Sequence, residues 1–294
     1  MKTMQTILAT GTIAFGVAAA RAETVAYESF SYGGTANLAG ANGGTGWGGA
    51  WFKLSSIPTG AVMEGMTWPG LPAAGGSAIT AAYPSADYTR YSRVIAPYEA
   101  PNDEIFISFL FRPNLGFGVG GGLAFGTWDN GMIMGLVPGT GHYGLSGFTG
   151  PSSVGGEAAT LNETVLLVAR VAKLDDGTIG WSLYVNPTAG DPQPASPAAS
   201  MAIPGTSLPP AINLYNDGGF STDEIRIATT WNEALGLPAS GCNEDLDSSG
   251  IVDAADLGIL LGQWSTSGNA DLDGDGSVGG ADLAALLGAW GACP

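Results

Sequence analysis

The sequence predicts an all-β antiparallel sandwich over residues 23–236, a linker at 237–241 and a small α-helical module at 242–294. Three features carry this reading. Glycine supplies 48 of 294 residues with no three-residue period, and 45% of the chain is apolar, so turns are many and a core is available. Short β-branched and aromatic segments alternate with Gly, Pro and Asp-Gly punctuation up to about residue 236. Beyond that point acidic residues concentrate: residues 241–294 hold nine, with no Lys or Arg.

At the N-terminus, Lys2, an apolar run from Ile7 to Ala20 and the small-residue site Ala20-Arg21-Ala22 describe a signal peptide over residues 1–22. The run is too short for a confident membrane span. Cleavage after Ala22 and a secreted or cell-surface location are expected. A formal net charge of −17 without a basic cluster argues against nucleic acid and anionic membranes as partners, and no later stretch suits membrane insertion.

The strands follow in order. Val25–Ser31 opens the domain, and Tyr88–Ile95 mixes polar and apolar residues. Glu104–Arg112 is nearly all apolar, which predicts a central strand. Gly122–Thr127, Met132–Val137 and Tyr143–Phe148 are set apart by glycines and by Asp129-Asn130-Gly131. Thr164–Lys173 is the longest candidate, and Gly180–Val185 alternates Trp181, Leu183 and Val185. Ile212–Tyr215 and Glu224–Thr229 close the set, while Pro187–Pro204 reads as an irregular loop. The single histidine, His142, sits in Gly-Thr-Gly-His-Tyr-Gly, a turn pattern, and reads as an ordinary surface or turn residue and not a catalyst.

In the C-terminal module two twelve-residue segments match, Asp245–Asp256 and Asp271–Asp282. A calcium loop of this length takes oxygen ligands at positions 1, 3, 5, 7, 9 and 12, with glycine at 6 for the sharp turn. The first loop offers Asp245, Asp247, the Ser249 hydroxyl, the Ile251 carbonyl, Asp253 and Asp256. The second offers Asp271, Asp273, Asp275, the Ser277 carbonyl and Asp282, with a water at Gly279. Gly250 and Gly276 fill position 6. Val252 and Val278, at position 8, are expected to pack inward and pair the two loops. Each loop runs into an apolar stripe, Leu257, Leu260, Leu261 and Trp264, then Leu283, Leu286, Leu287 and Trp290, read as helix faces that form the module's core. Cys242 and Cys293 bracket the segment, and in an exported protein such a pair favours a disulfide over two free thiols.

These loops and exiting helices resemble the type I dockerin family over roughly residues 242–293. The resemblance implies two calcium ions and a cohesin-like protein partner. Ala254-Ala255 and Gly280-Ala281 stand where the family commonly carries Ser or Thr, and the helices have no basic residue. In the large domain, Tyr27-Glu28-Ser29-Phe30, Gly43-Gly44-Thr45-Gly46-Trp47, Tyr184-Val185-Asn186-Pro187 and Asp223-Glu224-Ile225-Arg226-Ile227 resemble the concanavalin A-like lectin/glucanase (LamG-like) jelly roll. That fold hosts lectins, adhesion modules and glycosidases, and it sometimes holds a structural calcium where Glu28 and Asp223 would meet.

Glycosidases need two suitably spaced carboxylates. The acidic pairs Asp103-Glu104 and Asp223-Glu224 lack the Glu-x-Asp-x-x-Glu spacing of glucanases on this fold, so no catalytic residue is assigned. Trp47, Trp51, Trp68 and Trp128 lie in glycine-rich segments and are either exposed sugar platforms or core fillers. The expectation is a secreted, non-catalytic glycan-binding or adhesion protein with a calcium-binding module for attachment to a protein. The alternatives are a glycoside hydrolase on the same fold and a purely structural surface protein.

Overall fold

The computed structural model describes residues 24–35, 37–55, 59–80, 88–100, 103–126, 131–148, 150–237, 242–247 and 251–292. The expected signal peptide, residues 238–241 of the expected linker, Asp129 and Asn130 of the expected turn, Trp128, Ser249, Gly250 and Cys293 lie outside them. In chain order the strands are β1 (Thr24–Glu28), β2 (Phe52–Lys53), β3 (Thr59–Val62), β4 (Ser77–Thr80), β5 (Thr89–Val94), β6 (Glu104–Phe125), β7 (Met132–Leu136) and β8 (His142–Gly147). They continue with β9 (Ser152–Ala158), β10 (Val165–Lys173), β11 (Thr178–Val185), β12 (Ala199–Pro204) and β13 (Ala211–Ala228). Helix α1 (Trp231–Ala234) follows, then β14 (Ile251–Val252), α2 (Ala254–Gly262), α3 (Gly280–Gly288) and β15 (Gly291–Ala292).

Two long strands organise an antiparallel sandwich. The first half of β6 pairs with β10, Ile107 opposite Ala169, and with the second half of β13, Ile107 opposite Ile227. The second half of β6 pairs with β7, Leu123 opposite Met134, and with the first half of β13, Leu123 opposite Leu214. Register shifts between Asn216 and Gly218 and between Gly218 and Phe220 mark where the ladder bends from one layer to the other. Strands β10 and β11 extend the first layer to the edge strand β12, and β5, β7, β8 and β9 extend the second.

Alternation along β6 explains its apolar sequence. Ile105, Ile107, Phe109 and Phe111 enter the main core between the layers, where Phe125 meets Trp181 at 5.0 Å and Phe111 meets Tyr143 at 6.5 Å between ring centroids. Phe106 and Leu110 enter a second core on the opposite face, under Trp231 and Ala234 of α1. A strand covered on both faces has no polar side to display. The sequence had suggested two strands here, 104–112 and 122–127; they are one. Gly122 (φ +151°) and Gly135 (φ +155°) sit opposite one another in the ladder, and a Cβ on either would come within 2.1–2.2 Å of the neighbouring strand's carbonyl oxygen. Glycine there keeps the sheet continuous instead of interrupting it.

One further expectation changes. The segment expected as an irregular loop at 187–204 ends in β12, which pairs with β11; an edge position tolerates Pro204. His142 opens β8 directly after the turn, half-buried, and its carbonyl closes that turn by accepting from Val137 N.

A buried ion pair ties the first strand to the second layer. Glu28 accepts from Arg93 Nη1, from Trp51 Nε1 (3.0 Å), from the Tyr32 hydroxyl (2.6 Å) and from the Phe30 backbone N–H (2.7 Å). Arg93 donates further to Gly49 O, Gly43 O and Asn42 Oδ1, and lies over the Trp47 and Trp51 rings at 4.8 and 5.6 Å. Both side chains are 1% exposed. Trp47 and Trp51 thus serve packing, and Trp51 is fully buried.

The C-terminal elements surround their own small core, which contains Leu246, Val252, Leu260, Ala270, Val278 and Leu286. The two matching halves exchange backbone pairs. Val252 pairs with Gly291, beyond α3, and Val278 pairs with Ser265 and Thr266, beyond α2. The two valines are buried together as expected, but their backbones pair with these post-helix segments. The apolar stripes also divide. Leu260 and Leu286 are buried, while Leu261, Trp264, Leu287 and Trp290 are 52%, 42%, 52% and 49% exposed. A core this small covers only one edge of each stripe.

Removing one partner of a buried ion pair leaves the other uncompensated, at about 3–5 kcal/mol. Glu28→Ala is expected to lower the unfolding free energy of the sandwich by about that amount, read from urea denaturation monitored by tryptophan fluorescence. A loss below about 1 kcal/mol, the range of exposed pairs, would show that the pair does not anchor β1.

Candidate metal centre

The carboxylates singled out in the C-terminal sequence converge in two groups. Asp245, Asp247 and Asp256 each offer an oxygen within 4.8 Å of the others, and so do Asp271, Asp273 and Asp275. The first group joins the segment before α2 to Asp256 in its first turn, and the second lies in the segment before α3.

Local hydrogen bonding explains how the loops close. Asp256 is fully buried, and its Oδ1 accepts from the backbone N–H of Leu246 (2.7 Å) and Asp247 (3.1 Å), while Oδ2 accepts from Asp253 (2.8 Å). Asp282, 1% exposed, repeats the pattern: Leu272 (2.6 Å) and Asp273 (3.1 Å) donate to Oδ1, and Gly279 (2.6 Å) donates to Oδ2. The Gly279 N–H, with those of Asp273 and Leu272, holds the Asp282 carboxyl below the usual carboxylate range. These last acids therefore pin the start of each loop to the first turn of its helix.

In the second loop, Asp271 accepts from Gly274 N (2.9 Å) and Gly276 N (2.8 Å), Asp273 from Asp275 N (3.0 Å), and Asp275 from Ser277 N (2.9 Å). Gly274 (φ +75°) and Gly276 (φ +93°) take the left-handed conformations that this winding needs. The turns leave further lone pairs on three short carboxylates facing a common point. In the first half, Asp253 caps α2 by accepting from Ala255 N (2.7 Å), and Ile251 lies in β14. Donor sets made only of oxygen, mostly carboxylate, suit a hard divalent cation. Cys242 is buried beside this core.

The acids considered in the sandwich are engaged elsewhere. Asp103 pairs with Lys173 and Glu104 with Arg170. Glu28 and Asp223 are brought to neighbouring strands, Glu28 lying opposite Ile225, but Glu28 is committed to Arg93. Glu224 (φ +52°) accepts from Ala74 N (2.7 Å) and from the Tyr27 hydroxyl (2.9 Å), and it pairs with Arg226. Asp223 is fully buried and accepts from Met66 N and Glu224 N, both at 2.7 Å. No local sequence signal marks the Glu28–Arg93 pair, whose partners are 65 residues apart, whereas Glu224 and Arg226 are two residues apart on one strand.

No family model matches the chain, and no curated protein matches it. Among solved structures, a carbohydrate esterase from the Shiga toxin-encoding bacteriophage phi24B is 12% identical, over 71% of this chain and 99% of its own, with a TM-score of 0.41. The fourth domain of an extracellular arabinanase from Geobacillus stearothermophilus, solved with arabinotriose, is 14% identical over 74% and 98%, with a TM-score of 0.38. An endo-β-1,4-glucuronan lyase from the fungus Trichoderma reesei is 12% identical over 66% and 94%, with a TM-score of 0.38. Similarity at this level carries no argument about activity or ligand.

Burial pushes the Asp223 carboxyl up from the ordinary 3.8 to about 8, against the pull of the Met66 and Glu224 N–H groups. The fold therefore retains a proton that the unfolded chain releases, and this contribution to stability falls as pH rises from about 4 towards 8. The melting temperature of the sandwich is expected to drop between pH 5 and pH 9, and the drop should be smaller in Asp223→Asn. An equal drop in both proteins would assign the pH dependence to other groups.

Proposed function

We propose that this is a secreted protein attached to a protein partner through a calcium-folded, dockerin-like C-terminal module. Its sandwich, residues 23–236, is read as a concanavalin A-like jelly roll acting as a non-catalytic glycan-binding or adhesion module. One observation carries the calcium reading. Each half of a duplicated loop gathers three carboxylates, two of them at the same loop positions (Asp245 and Asp247, Asp271 and Asp273), and the last aspartate of each loop, Asp256 or Asp282, is buried with three backbone donors at matching positions.

The first ion would be held by Asp245, Asp247 and Asp256, with Ser249, Ile251 and Asp253 as further ligands. The second would be held by Asp271, Asp273 and Asp275, with Ser277 and Asp282. Each ion would supply positive charge to a segment without a single Lys or Arg, coupling metal binding to folding. A disulfide between Cys242 and Cys293 would staple the same small core.

Attachment is supported by what the helices leave uncovered. Leu261 and Trp264 beyond one loop, and Leu287 and Trp290 beyond the other, give two equivalent apolar exposures. With no basic residue beside them, a cohesin-like partner would be met through apolar contact. The non-catalytic reading of the sandwich is supported by its acidic pairs: Asp103 and Glu104 are ion-paired, and Asp223 and Glu224 are buried.

Calorimetric titration of the full chain with calcium is expected to give two bound ions, and Asp271→Ala should lose one of them. A wild-type stoichiometry of zero, or an unchanged stoichiometry in the variant, would remove the proposed sites.

A further inference from the structure

The sandwich carries a cavity of about 430 Å³ at the end where β5 stops and β6 and β12 lead off. Its volume lies within the range of small-molecule sites, about 300–1,000 Å³. Its wall includes Ile95 and Leu208, both buried, and Tyr98, which packs against the main core. The Tyr98 hydroxyl donates to Pro209 O at 3.1 Å, which fixes the ring. The Ile95 N–H is likewise taken up by Pro210 O at 2.9 Å, so the wall is tied across the two segments that form it.

The polar side of the cavity is charged but balanced. Lys173 Nζ pairs with Asp103 Oδ1 at 2.5 Å, and both side chains keep solvent exposure of 37% and 63%. Glu99, also exposed, adds one further negative charge. A fixed aromatic ring among apolar residues suits the C–H face of a sugar, and an exposed ion pair offers both donors and acceptors to hydroxyl groups. With Lys173 offset by Asp103, the surplus charge at the rim is negative, which disfavours sugar acids.

We propose that this cavity is the saccharide-binding site of the sandwich, taking a neutral sugar residue between Tyr98 and the Lys173–Asp103 pair. The proposal rests on the glycan-binding reading above and gives it a place and a ligand class. It places recognition on Tyr98 and the Lys173–Asp103 pair, not on Trp47 and Trp51, whose rings pack on Arg93.

Saturation-transfer NMR and calorimetry of the full chain would use neutral gluco-, manno-, xylo- and galacto-oligosaccharides, with oligouronates alongside. Wild type is expected to bind at least one neutral series. Tyr98→Ala and Lys173→Ala should each weaken that binding at least tenfold. Lys173 is exposed, so its variant tests the site even if Tyr98→Ala fails to fold. Binding that is unchanged in folded variants would overturn this location while leaving the glycan-binding reading in place. Binding of oligouronates alone would overturn the ligand class. Retention of no saccharide would remove both the site and the reading it rests on.

Discussion

The pairing of Glu104–Phe125 with Ala211–Ala228 runs through both layers of the sandwich, and the remaining strands take their positions from it. Each layer is a set of neighbours added to one half of this bent ribbon. The bend brings Phe125 against Trp181 and Phe111 against Phe220, closing the core from strands that are themselves continuous. Glycines make the turn possible without ending the ladder. The buried Glu28–Arg93 pair then fastens β1 to β5 across the edge of the domain. The cavity beside Tyr98 is lined mainly by the segments that lead from β5 into β6 and from β12 into β13.

A different constraint governs the C-terminal segment. Three carboxylates within 4.8 Å of one another repel by about 1 kcal/mol per pair in water and several-fold more where water is thinned. Backbone N–H groups compensate part of this at Asp256 and at Asp271, Asp273 and Asp275. A divalent cation is the counter-charge we propose for the rest, because the segment has no basic side chain to offer. The exchange of backbone pairs between the halves, Val252 with Gly291 and Val278 with Ser265, makes each loop depend on the other's helix. An ion bound in one loop would therefore steady the second as well.

Much of this was legible in the sequence, for identifiable reasons. Glu104–Arg112 announced a central strand because both of its faces are covered, and the matching acidic loops announced themselves by chemistry and spacing together. What stayed hidden depended on contacts distant along the chain. Residues 113–121 read as a break because glycine usually ends a strand, whereas here the strand runs on through them. Residues 199–204 read as loop from composition, and only pairing with β11 makes them a strand. The stripes of α2 and α3 showed which residues share a helix face but not how little core there is to cover them. Glu28 and Arg93 are too far apart in the chain for any local pattern to join them.

The central claim is that calcium holds the C-terminal module folded while the sandwich stands without it. Differential scanning calorimetry of the full chain in excess calcium and in excess chelator tests this directly. The account expects a transition belonging to the C-terminal module that moves to lower temperature or vanishes on chelation, beside a sandwich transition that stays in place. Superimposable thermograms in the two conditions would contradict it, and would reduce the aspartate clusters to a solvated acidic surface.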